Sequence, residues 1–137
     1  PMHVIVDLSG WFGQGAGTEF HAMTPVRALD TRINVGMSGA FTAGSNRSLV
    51  LAGSNGLPAA PALRAVLAQV TAVSATSAGY LTVHPCAAVV PQVSMVQTSA
   101  AANTASVVIG ADDNLGRWCI VASNPMHVLV DVSGYFA

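Results

Sequence analysis

The stretch PMHVLVDVSGYFA at residues 125–137 decides the fold of this chain. From Val128 to Val132 every second residue is a valine, which is the period of two that is typical of a strand with one face in a core. A Ser-Gly pair then allows a turn or a bulge, and the aromatic pair Tyr135-Phe136 follows. The stretch therefore predicts a strand that closes a β-sheet.

The same stretch occurs a second time at the start of the chain. Residues 1–13 read PMHVIVDLSGWFG, and nine of the thirteen positions are identical to residues 125–137 at a constant offset of 124. The four remaining positions are conservative exchanges, namely Ile5/Leu129, Leu8/Val132, Trp11/Tyr135 and Gly13/Ala137. Repetition of this kind indicates a tandem array. We interpret residues 1–137 as a single β-domain in which residues 14–137 are one full repeat.

Both copies are predicted to be strands at the junctions between repeats. A sheet without such a strand exposes an edge, so we expect residues 1–13 to form an ordered strand with Val4 and Val6 buried. The partners implied are neighbouring copies of the repeat, in the same chain or by strand addition between molecules. The residues expected to form the two junction strands are Val4, Val6, Asp7, Trp11, Val128, Val130, Asp131 and Tyr135.

Between the two copies, short β-branched runs alternate with turn-forming stretches rich in Gly, Pro, Asp and Asn. The runs predicted to be strands are 46–51, 79–84, 92–97, 104–109, 117–122 and 127–132. Residues 62–73 also show helical spacing, but their β-branched residues favour a strand. The pattern predicts an all-β fold, an antiparallel β-sandwich of about eight to nine short strands, either immunoglobulin-like or jelly-roll-like.

Charged residues are scarce in this chain. They make up 8% of it, and five arginines against six acidic residues give a formal net charge of −1, whereas an average soluble domain has about 25% charged residues. Such a surface attracts neither nucleic acids nor anionic lipids strongly, so nucleic acid is not an expected partner. No apolar run reaches the roughly 18–20 residues of a membrane-spanning helix, so membrane insertion is not expected. Because the chain opens on Pro1 without a signal peptide, we expect it to be a piece of a longer precursor.

Cys86 and Cys119 are the only cysteines. Both lie beside strand-like runs, which favours a disulfide between neighbouring strands over two separate buried thiols. A disulfide would stabilise the fold by roughly 3–4 kcal/mol on the chain-entropy model and would indicate an oxidising compartment. A zinc site is not expected, because neither cysteine has enough Cys or His partners at the spacing of metal ligands.

Arg27, Asp30 and Arg32 bring three charges into six residues. They could bind a carboxylate or a sugar, but the preferred interpretation is an internal salt-bridge cluster that fastens an extended segment to the sandwich.

The other aspartates suggest calcium only weakly. Calcium needs six to eight oxygen ligands, so we expect Asp7 and Asp131 to pair with an arginine or with backbone N–H groups instead. The sequence Asp112-Asp113-Asn114 is interpreted as a hairpin turn. No metal site is expected.

No catalytic motif is recognisable, and we expect neither enzyme activity nor a cofactor. The Gly-x-Ser-x-Gly pattern is absent, Glu19 is the only glutamate, and His3 and His127 are copies of one repeat position. Four aromatic residues could stack on sugar rings but are also ordinary core material, namely Trp11, Tyr80, Trp118 and Tyr135.

Four motifs in order resemble a tandem repeat of about 120 residues found in secreted and cell-wall-associated actinobacterial surface proteins. They are TPVRALDTR at 24–32, GYLTVHPC at 79–86, a later strand with Cys119, and HVLVDVSGYF at 127–136. The resemblance implies a secreted or cell-surface β-domain with Cys86 and Cys119 paired, and it implies no defined chemistry. The expected function is a non-enzymatic structural or adhesive module of a surface stalk, filament or adhesin. The alternative is a module that binds cell-wall glycan and is attached to a secreted hydrolase.

Overall fold

The computed structural model describes residues 1–4, 6–13, 15 and 17–137, and the regular elements in them are all strands. The strands are β1 (Phe20–Asp30), β2 (Asn46–Val50), β3 (Ala65–Val73), β4 (Gly79–Pro85), β5 (Val96–Thr98), β6 (Thr104–Ala111), β7 (Arg117–Ala122) and β8 (His127–Phe136). Residues 62–73 contain β3, so the preference for a strand there is confirmed. The described residues include no helix of the length and apolar character that crossing a membrane requires.

The eight strands form two antiparallel sheets of four. The strand orders are β1-β8-β3-β6 and β2-β7-β4-β5. The chain pairs β4 with β5, β3 with β6, β2 with β7 and β1 with β8, as one long hairpin does when it is folded over on itself. This is the topology of an eight-stranded jelly roll. The predicted antiparallel β-sandwich is therefore confirmed, and of its two expected kinds the jelly roll is the one observed.

The hydrophobic core lies between the two sheets, with Trp118 of β7 as its largest fully buried side chain. The indole N–H of Trp118 donates a hydrogen bond to the carbonyl of Gly110 at 3.1 Å. A Cβ atom at position 110 would lie 2.8 Å from the indole ring. Glycine is therefore required where β6 passes over the indole, because no side chain fits between them.

The acidic turn at residues 112–114 connects β6 to β7, which lie in opposite sheets. The predicted hairpin turn is therefore wrong, because a hairpin joins two neighbouring strands of one sheet. The Asp113 carboxylate accepts hydrogen bonds from the backbone N–H groups of Leu115 and Arg117, both at 3.0 Å, and pairs with the Arg117 guanidinium at 2.7 Å. These bonds show that the acidic residue holds the turn together.

The two ends of the sandwich lie side by side. Phe20, the first residue of β1, is the register partner of Phe136, the last residue of β8. Just beyond them, Glu19 and Ala137 exchange two backbone hydrogen bonds of 3.1 and 3.2 Å. The chain therefore enters and leaves the domain at the same place.

The first copy of the repeated segment forms no strand in its described residues, 1–4 and 6–13. Val4 and Val6 are 75% and 85% exposed, and Asp7 and Trp11 are exposed as well. The prediction of an ordered strand with Val4 and Val6 buried is therefore wrong for this chain, because β8 already fills the matching position. The Gly-rich sequence of residues 14–18 is typical of a linker, and its residues 14 and 16 lie outside the described part.

Candidate functional site

The strand β8, which contains the second copy of the repeated segment, lies between β1 and β3. We call this position the closing slot. The backbone of β8 pairs with β1 on one side and with β3 on the other. On its inner face Val128, Val130 and Val132 are fully buried. Backbone pairing with two strands and the burial of its valines in the core therefore hold β8 in place.

A bidentate ion pair holds β8 to β1 on the outer face of the sheet. The Arg27 guanidinium donates to the Asp131 carboxylate through Nε at 2.6 Å and through Nη2 at 2.9 Å. The hydrogen bond and the charge of Asp131 raise the pKa of Arg27 above its ordinary value. The two residues are register partners in the β1–β8 ladder. A planar fork of this kind fixes the register of two strands as well as their distance.

The Arg27 guanidinium also belongs to a cluster around the carboxylate of Asp30, whose side chain is fully buried. Asp30 accepts bonds from Arg27 Nη1 at 3.0 Å, from Arg32 Nε at 2.9 Å and Nη2 at 2.7 Å, and from the backbone N–H of Arg32 at 3.0 Å. The Arg32 guanidinium, helped by the other donors, holds the pKa of Asp30 well below its ordinary value of 3.8 despite the opposing effect of desolvation.

The Asp30 carboxylate is therefore ionised throughout the physiological pH range, and four N–H donors surround it. The contacts of this cluster run between parts of the same domain. They fasten the end of β1 and, through Arg27, β8.

Three further residues contact β8, and the sequence analysis did not single them out. Thr31 Oγ1 lies 3.0 Å from His127 Nδ1 and accepts the backbone N–H of Val128 at 3.0 Å. The rings of His21 and Tyr135 stack with centroids 4.9 Å apart. Phe20 and Phe136 pack at 5.2 Å over Gly134. The available signal was the Ser-Gly pair retained in both copies of the repeat, because a glycine in a strand marks a close approach.

Gly134 provides a test of this packing. We expect Gly134→Ala to lower the free energy of unfolding by about 1 kcal/mol, because the new methyl group would displace the half-exposed Phe20 ring and lie 3.0 Å from the His21 carbonyl oxygen. The matched control is Gly10→Ala in the other copy, where nothing lies within 4 Å, and it should change stability by less than about 0.5 kcal/mol. Chemical denaturation of both variants gives the comparison, and equal effects would contradict the packing described.

The disulfide between Cys86 and Cys119 is present, with the two Cα atoms 4.8 Å apart. Cys119 lies on β7, opposite His84 of β4, and Cys86 directly follows β4. The bond therefore joins neighbouring strands of the second sheet. The sequence prediction of this pairing is confirmed.

The predicted sugar-stacking residues are scattered over the molecule. Trp118 is in the core, Tyr135 stacks on His21, and Trp11 lies in the exposed first segment. Within residues 19–137, two aromatic side chains are more than 40% exposed, Phe20 on β1 and Tyr80 on β4, and these strands belong to opposite sheets. Among the described ring pairs, none joins two of the four predicted stacking residues. The rings that do gather are those of Phe12, Phe136 and Phe20, with Phe136 6.0 Å from Phe12 and 5.2 Å from Phe20.

Comparison with known proteins adds no relative: no family model, no curated protein and no solved structure matches this chain. In the described part of the chain, no three His, Cys, Asp or Glu side chains gather into a group that could hold a metal ion. The function must therefore be argued from the geometry of the chain itself. That geometry consists of a closing slot, a second copy of the strand that fills it, and two domain ends that lie together.

Proposed function

We propose that this chain is a non-enzymatic module of an extracellular structural or adhesive protein, built from tandem copies of the jelly roll. The observation that carries the proposal is the order of segments along the chain. A copy of the closing strand at residues 3–12 is followed, after seven intervening residues, by the opening strand β1 at Phe20. This is the order that an array of such domains has at each junction.

The position of the domain ends limits how such an array can carry load. Since Phe20 and Phe136 are register partners at one end of the β1–β8 ladder, a pull on the two linkers would separate that ladder one residue pair at a time. Hydrogen bonds that break in sequence resist a pull less than bonds that must break together. The arrangement suits units that project sideways from a common line and present their faces. It therefore favours adhesion or spacing over a load-bearing stalk.

The disulfide supports a location outside the cytoplasm, since such bonds persist in oxidising compartments. The proposed partners are neighbouring copies of the same repeat. Binding to cell-wall glycan is the competing proposal, which the scatter of the four predicted stacking residues over the core, the first segment and opposite sheets does not favour.

A chain of two units, residues 1–137 followed directly by a second copy of 14–137, tests the proposal. We expect small-angle scattering to show two folded bodies side by side, with a maximum dimension well below twice that of one unit, because each domain begins and ends at one place. In parallel, the two-unit chain is sedimented with purified peptidoglycan and applied to a glycan array. An extended two-unit particle would contradict the side-by-side array, and saturable glycan binding would favour the competing function.

A further inference from the structure

Residues 1–13 present an apolar strand sequence that the domain leaves uncovered. The exposed fractions are 75% for Val4, 85% for Val6, 88% for Leu8 and 81% for Phe12. The equivalent residues of β8 include the fully buried Val128, Val130 and Val132. Although the Phe12 ring lies 6.0 Å from the Phe136 ring, most of this apolar strand sequence is therefore left in solvent.

The first copy retains the residues with which β8 makes its contacts in the closing slot. Asp131 pairs with Arg27, His127 contacts Thr31, Gly134 lies under the Phe20 ring, and Phe136 packs on that ring. The corresponding residues of the first copy are the identical Asp7, His3, Gly10 and Phe12. Where the copies differ, Trp11 replaces the Tyr135 ring that stacks on His21, and Leu8 replaces Val132.

The chain is also the right length to bring the first copy into the slot of its own domain. Ala137 exchanges backbone hydrogen bonds with Glu19, and Gly13 is the equivalent of Ala137. If Gly13 took that place, residues 14–18 would form a five-residue loop between two antiparallel strands. Loops of two to about five residues are the usual connections of β-hairpins. Gly15 and Gly17 in this loop have φ values of +77° and +137°, which glycine adopts without strain.

We propose that the closing slot accepts either copy, so that residues 3–12 can replace residues 127–136 between β1 and β3. The first copy would form a hairpin with β1, whereas β8 enters from β7 through residues 123–126. In a tandem array each junction strand would then be able to occupy the closing slot of the unit before it or that of the unit after it. The partner of the exposed copy is therefore a domain of this same repeat whose own closing strand has left the slot.

In the intact chain two features favour β8. Asn124 in the entry loop donates from Nδ2 to the Ser77 carbonyl at 2.6 Å and to Ser77 Oγ at 2.8 Å, which anchors the connection from β7. Leu8 would also add a methylene at the place of the fully buried Val132, and extra volume in a packed core is unfavourable. The replacement should therefore become visible when β8 is weakened.

The experiment uses the full chain with one buried position of the closing strand changed in each copy. Val130→Asp places a carboxylate in the core and should disable β8, whereas the matched Val6→Asp alters the exposed copy. We expect Val6→Asp alone to leave the melting temperature unchanged. Val130→Asp should keep a cooperative melting transition at a lower temperature, and the double variant should lose the transition entirely.

Hydrogen exchange followed by mass spectrometry shows which strand occupies the slot. In the unmodified chain the amides of residues 127–136 should be protected and those of residues 3–12 should exchange freely. In the Val130→Asp chain we expect protection of residues 3–12 to rise on the order of a hundredfold or more, because these amides would become part of the central ladder. If Val130→Asp unfolds as completely as the double variant, or folds without protecting residues 3–12, the proposal is overturned.

Discussion

Reducing the bond between Cys86 and Cys119 is expected to lower the free energy of unfolding by roughly 3–4 kcal/mol, as the chain-entropy model gives for a loop of this size. The two residues are 33 positions apart, and the segment between them contains β5 and β6. Without the bond, the unfolded chain recovers the freedom of that whole loop. Urea denaturation with and without a reductant, followed by tryptophan fluorescence of the core residue Trp118, measures the difference.

The double variant Cys86→Ala with Cys119→Ala separates the bond from the reductant itself. It should show the lowered stability of the reduced protein, and adding reductant should change it no further. Intact-mass measurement of the oxidised protein should show two hydrogens fewer than the reduced form. Two free thiols in protein purified from an oxidising compartment, or a stability that does not respond to reduction, would contradict the role given to this bond.

Local patterns predicted the strands well, because apolar and polar residues alternate along a strand that has one face in the core. The alternation in residues 127–132 marks β8, and the β-branched residues of 62–73 mark β3 despite their helical spacing. The prediction was poorer at 92–97, where the strand β5 is limited to Val96–Thr98. Those three residues are the ones that face β4, since the β4–β5 ladder has three register pairs. Strand length there depends on a partner, which a local pattern does not contain.

The same limit explains the two wrong predictions. The turn at 112–114 has the residues of a tight turn, but whether it joins neighbours in one sheet or crosses to the other depends on the rolled-up hairpin as a whole. Residues 1–13 have the pattern of a strand with a buried face, and the sequence identity with residues 125–137 is real. One domain offers one closing slot, and β8 fills it. The alternating pattern therefore shows that a segment can form a strand with one buried face. The number of closing slots decides whether that face is buried.

The salt-bridge cluster was identified from three charges in six residues, but its extension to β8 was not predicted. Arg27 and Arg32 surround Asp30, as their spacing indicates. The further bond from Arg27 to Asp131 joins residues 104 positions apart. The sequence analysis expected Asp131 to pair with an arginine or with backbone N–H groups, but only the register between β1 and β8 shows that the arginine is Arg27.

Asp30→Ala is expected to lower the melting temperature at neutral pH by about 10 °C, because it removes the buried carboxylate on which four N–H donors meet. Arg32 loses the acceptor of its guanidinium and of its backbone N–H group, and Arg27 loses one of its two partners. The matched control is Asp7→Ala, which removes an exposed carboxylate from the first copy and should leave the melting temperature unchanged. Differential scanning calorimetry of the three proteins gives the comparison.

The effect of Asp30 should also depend on pH in a defined direction. Since the folded protein holds the pKa of Asp30 below its ordinary value of 3.8, the unfolded chain takes up a proton first as the pH falls. The stabilisation is therefore complete above that value and is lost as the pH falls below it. Asp113, whose pKa is also lowered, is present in both proteins, so its effect cancels in the comparison. The difference in melting temperature between the unmodified chain and Asp30→Ala should consequently shrink between pH 7 and pH 3. If Asp30→Ala kept the stability of the unmodified chain at pH 7 but lost binding to a partner or a glycan, the cluster would be a binding site and not a fastening of β1 and β8.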